Sequence, residues 1–148
     1  VGSEMCIRDS FEIYQIRKLI EPAVCTQYFY NLDKSRLLEF DSQFQQVDLN
    51  DDRRYYELDF SFHSWLVSAA KNQTLDAFFH SLMQLQYRFS MYTVRMGTAV
   101  KGDFYTEHHE IIEALLSEDL ERLGRVLVSH ANYSEVIALR TLIAAQIS

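Results

Sequence analysis

The sequence holds few residues that break helices. Proline occurs once and glycine four times in 148 residues, so the tight turns of a many-stranded sheet have little to be built from. Cysteine occurs only as Cys6 and Cys25, which excludes a disulfide framework and a C-x-x-C zinc or redox motif and points to a reducing, cytoplasmic setting. No apolar run reaches the roughly 18 residues of a membrane span. The N-terminus also lacks the basic start and apolar centre of a signal peptide. Positive charge is in the minority, with 14 basic against 21 acidic residues and a net charge of -7. No stripe of Lys or Arg could neutralise a phosphate backbone, which argues against nucleic-acid binding by this chain alone.

What is present is apolar and aromatic residues, 48% and 14% of the chain, enough for one domain with one core. The first ten residues, VGSEMCIRDS, follow no pattern and read as a non-native or linker remnant, leaving 11–148 as the domain. Ile13, Ile16, Ile20 and Val24 recur at helical spacing. They predict a helix capped by Ser10, running to about Tyr30 and bent at Pro22. Asp33 is placed to cap a second helix carrying Leu37, Phe40 and Phe44. A third helix is predicted from about Asp51 to Lys71, closed by Asn72 in the left-handed conformation. A fourth follows from Thr74 to Met96. Gly97 to Gly102 reads as an open loop, Phe104 to Leu116 as a fifth helix, and 117–119 as a turn into a sixth from Leu120 to about Ala145. The fold class is therefore all-α, an antiparallel bundle of about six helices.

Asp59 and His63 stand four apart on the third helix, so both side chains can reach one ion. The same spacing also serves an ordinary ion pair. His108 shares the apolar face of Ile111 and Ile112, and His130 that of Leu123 and Leu127. One inward histidine is ordinarily a hydrogen-bonded core residue. Two of them facing an Asp and a His from a third helix form a four-ligand site more economically than four separately satisfied polar groups. His109 is turned about 100 degrees from His108, toward solvent or the helix flank, and His80 reads as a structural or surface residue.

Beyond spacing, LDFSFHSWLVSAAKN (58–72) resembles the D-x-x-F-H…A-x-x-N signature of the FCD domain, the effector-binding domain of many GntR-family transcription regulators. IRKLIEPAV resembles that domain's opening R-x-x-L/I-E-P helix, EHHEIIEAL its E-H-x-x-I-x-x-A-L helix, and SEDLERLGRVLVSH its acidic turn and histidine-ending helix. The resemblance spans about Phe11 to Tyr133. A six-helix count is closer to the shorter VanR-like form than to the seven-helix FadR-like form.

The resemblance implies that Asp59, His63, His108 and His130 coordinate one divalent metal, zinc first, with nickel or manganese as alternatives. It also implies a small carboxylate effector beside the metal and a homodimer. DNA would be read through an N-terminal winged helix-turn-helix lying outside this chain. Arg17 and Arg88 are candidates to clamp the carboxylate, though Arg17 could equally pair with Glu21. Tyr87, Tyr92 and Arg95 are weaker candidates for the pocket wall. The alternatives are a metal-dependent helical-bundle enzyme, for which no motif supplies a general base or paired Glu-x-x-His ligands, and a metal-free dimerisation domain.

Overall fold

The computed structural model describes residues 3–147, and side chains from Arg8 to Ala144. Among these residues there are six α-helices and no strand: α1 (Ser3–Tyr28), α2 (Lys34–Gln46), α3 (Asp52–Val67), α4 (Gln73–Arg95), α5 (Phe104–Leu116) and α6 (Leu120–Ile147). Single 3-10 turns follow α1 at Phe29–Asn31 and α3 at Ser68–Ala70. No described helix is long and apolar enough to cross a membrane.

Pairings are antiparallel, as short connections dictate. Lys18 of α1 bonds Glu135 of α6 at 2.5 Å, while further along α1 Thr26 lies beside Gly124. Asp41 of α2 pairs with His109 of α5, and Phe44 lies against Phe104. α3 packs on α4, and α5 on α6. The core centres on Phe40, Phe44, Phe62, Leu66, Ile111 and Leu123, all nearly or fully buried. Phe62 contacts Phe40 and Phe44 edge-on with centroids 5.1 Å apart, the geometry that ring quadrupoles favour.

The helix ends differ from expectation in two places, at Ser10 and Asn72. Ser10 is not a cap: it lies inside α1, which starts at Ser3, and its side chain is buried. The helix runs unbroken through Pro22. Asn72 does not close α3. Lys71 takes the left-handed conformation, at φ 49°, and Asn72 caps α4 by accepting from the Leu75 N–H. Asn satisfies an orphan donor at a helix start as well as it tolerates a left-handed end, and the start prevails. Asp33, Asp51 and Asp103 cap α2, α3 and α5 in the same manner.

Gly97, at φ 69°, ends α4, and the loop to Gly102 crosses toward α3 and α6. It is tied down at several points. The Val100 N–H donates to Thr141 Oγ1 and the Asp103 N–H to the Tyr133 hydroxyl. Lys101 bonds Asp52 and the Leu49 carbonyl. Gly102 lies so close to Tyr133 that a Cβ there would overlap the phenol ring.

Candidate metal centre and adjoining cavity

Three histidines from three helices converge through the same ring nitrogen. His63 Nε2 lies 3.4 Å from His108 Nε2 and 3.1 Å from His130 Nε2. Asp59 Oδ1 lies 2.9 Å from His108 Nε2 and 3.4 Å from His63 Nε2. One ligand atom from each of the four residues falls within 4.8 Å of all the others. The three histidines are buried, and the Asp59 side chain is 15% exposed.

Each ring is oriented from behind. His108 Nδ1 donates to the Phe104 carbonyl one turn back at 2.7 Å, and Phe44 stacks on its imidazole at 4.1 Å. His63 Nδ1 contacts the Glu21 carboxylate. His130 Nδ1 lies 3.4 Å from Glu107 Oε1 without hydrogen-bond geometry, and neither atom has a hydrogen-bond partner among the described residues. A histidine whose Nδ1 donates carries its lone pair on Nε2. For His63 and His108 these lone pairs converge on each other, on His130 Nε2 and on a carboxylate oxygen, an arrangement that a proton or a cation between them makes favourable.

The spacing fits a metal ion. Ligands about 2.0–2.1 Å from one centre, at angles between roughly 90° and 109°, lie about 2.9–3.4 Å apart. Four of the six separations fall in that range, and all six are within 4.8 Å. Imidazole and carboxylate are also the donor types that zinc, nickel and manganese accept.

Electrostatics follow the same layout. Burial disfavours the Asp59 charge, but His63 and His108 more than offset this and hold its carboxyl well below the usual range. Burial also works against protonation of His63, yet Glu21 and Asp59 on either side raise its pKa. Burial lowers His108 and His130, and in His130 the neighbouring His108 and His63 add to the effect. Two of the three imidazoles are thus held in the neutral form that ligation needs. The third sits where two carboxylates attract a cation.

Arg17 is buried and bonds Glu21 Oε2 at 2.7 Å and Gln86 Oε1 at 2.9 Å. Gln86 in turn donates to Asp59 Oδ2 at 3.2 Å. This network orients both carboxylates that face His63. Glu21, Gln86 and Glu107 were not singled out as site residues by the sequence. In the sequence, Glu21 stands out only as a partner for Arg17.

Beside these four residues opens a cavity of about 90 Å³ between α1, α3, α4, α5 and α6. Asp59, His108 and His130 form part of its wall, and His63 stands behind them. Arg88, Tyr92 and Arg95 lie on the exposed side of α4 and, like Arg17 and Tyr87, are not part of the wall. From α4 the wall instead takes Gln86, Phe89, Ser90 and Thr93. His109 is partly exposed against Asp41, and His80 is exposed with its ring edge-on to Phe60, so neither joins the cluster.

The FCD domain model matches residues 12–133. The chain belongs to the FCD domain family, the regulatory effector-binding domains of GntR-type transcription regulators. No curated protein and no solved structure shows a significant match to it.

Proposed function

We propose that this domain binds one divalent metal ion, zinc, through Asp59, His63, His108 and His130, and senses a small organic acid seated against it. The observation that carries the reading is the convergence of three imidazole Nε2 atoms and one carboxylate oxygen at the wall of a cavity. Bound there, a divalent ion supplies a positive centre with coordination positions left for a carboxylate. Glu21 and the Phe104 carbonyl hold the His63 and His108 rings, Glu107 faces His130 Nδ1, and Gln86 fixes the Asp59 carboxylate.

The wall is drawn from five helices, so an occupant that fits one relative placement of them better than another biases that placement. In a homodimer, such a shift would alter the spacing of DNA-reading domains carried elsewhere in the regulator. The role is regulatory rather than catalytic. The test is thermal melting with a panel of small carboxylates, with zinc present and after its removal. At 100 times the dissociation constant a ligand adds about 2.7 kcal/mol, which for this size of domain is a shift of several degrees. Shifts that require zinc support the proposal, and equal shifts without zinc contradict it.

A further inference from the structure

The wall of the cavity is unusual in what it lacks. Among the described residues no lysine or arginine lines it, whereas Asp103 and Glu107 add two carboxylates to that of Asp59. The nearby cations stand outside the wall: Lys101 bonds Asp52 and the Leu49 carbonyl, and Arg17 bonds Glu21 and Gln86 through Nε and Nη1, with its buried Nη2 unpartnered among the described residues. Away from the metal, a second carboxylate on an occupant would meet the half-buried Glu107 and the exposed Asp103 and no cationic wall residue, and like charges facing each other are unfavourable.

Hydroxyls take the place of cations. Ser90, Thr93 and Thr141 spend their protons on helix carbonyls at Gln86, Ser90 and Ile137. The hydroxyls of Tyr14, Tyr55, Tyr56 and Ser134 have no such partner among the described residues, and that of Tyr133 accepts from Asp103 N–H with its own proton left over. Burial raises the pKa of Tyr14, Tyr55 and Tyr56, which keeps them protonated as donors. Tyr55 stands one turn from Asp59, and Ser134 one turn from His130, so both flank the ligand end of the cavity. The volume is small as well, about 90 Å³ against the roughly 150 Å³ of an engineered cavity that takes benzene.

We infer that the effector is a short monocarboxylate carrying hydroxyl groups, and that the same cavity rejects di- and tricarboxylates. This rests on the proposed metal-linked acid site and specifies what enters it. The carboxylate faces the four ligands. The hydroxyls along the chain meet the phenol and serine hydroxyls on one side and the Asp103 and Glu107 carboxylates on the other. An acid with an unsubstituted chain leaves these groups unpaired, which is the usual basis of strong discrimination by a polar site.

Three three-carbon acids separate the contributions: glycerate, with two hydroxyls, propanoate, with none, and hydroxymalonate, in which a second carboxylate replaces the terminal hydroxymethyl of glycerate. Calorimetric titration of the zinc-loaded domain is expected to rank glycerate at least tenfold tighter than either of the others. In water hydroxymalonate is the stronger chelator of a divalent ion, so its rejection would come from the protein. The Tyr55→Phe and Ser134→Ala variants, checked for retained zinc, should narrow the glycerate-to-propanoate ratio severalfold while leaving propanoate unchanged. Asp103→Asn keeps a capping side chain and should improve hydroxymalonate binding relative to glycerate.

Hydroxymalonate binding as tightly as glycerate, a ratio unmoved by both hydroxyl variants, or no binding of any of the three to zinc-loaded protein would each overturn the inference. Failure of the underlying reading shows itself separately, as protein that retains no zinc before any acid is added.

Discussion

A histidine ligates a metal through the ring nitrogen that carries no proton, so whatever holds the other nitrogen decides whether a histidine cluster is a site. Here the Phe104 carbonyl, Glu21 and Glu107 stand at the three Nδ1 positions. Glu21→Gln replaces a charged acceptor on His63 by a neutral one and also loosens Arg17. Changes of this kind behind a ligand typically weaken metal binding about 10- to 100-fold. That is the expected loss in a zinc competition titration with a chromogenic chelator, and an unchanged affinity would mean that Glu21 does not support the site. The cluster of Asp59, His63, His108 and His130 was legible in the sequence because these residues are spaced on helix faces, and periodicity reports faces. Their supporting partners were not. Glu21 reaches His63 from another helix, and Gln86 reaches Asp59 across 27 positions, contacts that no local pattern encodes. Charge type and helix face suggested Arg88 as a carboxylate clamp and Tyr92 and Arg95 as wall residues, and the rotation of α4 leaves all three exposed and outside the cavity wall.

At the scale of elements, helix starts govern how the site helices are spaced. Asn72 caps α4 and so fixes where Gln86 and Ser90 fall. Asn72→Ala should cost about 1 kcal/mol, the typical value of a lost N-cap, read as a lower denaturant midpoint; no change would show that the Leu75 N–H finds another partner. The Asp33 cap of α2 has a pH signature. The Ser35 side chain and backbone N–H hold its carboxyl below the ordinary value. A lowered folded-state pKa adds stability above the unfolded value of about 3.9 and loses it as pH falls through the folded one. The stability gap between wild type and Asp33→Asn should therefore shift against the wild type on going from pH 5 to pH 2.5, and a constant gap would contradict the assignment. Six helices and their order were readable from periodicity, but their exact ends were not. Ser10 and Asn72 can each serve more than one position, and the choice is made by tertiary packing and by which orphan donor lies in reach.

At the scale of the whole molecule, the antiparallel pairings bring α3, α5 and α6 together at one level, so that residues 59, 63, 108 and 130 become neighbours. The loop from Gly97 to Gly102, pinned to Tyr133 and Thr141, closes one side of the cavity next to them. The cavity was not legible in the sequence, since its wall combines single residues from five helices. The most direct test of the four-residue metal site is elemental analysis of protein purified without chelators and then equilibrated with a slight excess of zinc and desalted. The account predicts one zinc per chain for the wild type and about a tenth of that or less for Asp59→Ala and His108→Ala, with circular dichroism showing both variants helical. Folded variants that retain a full equivalent, or a folded wild type that retains none, would contradict it.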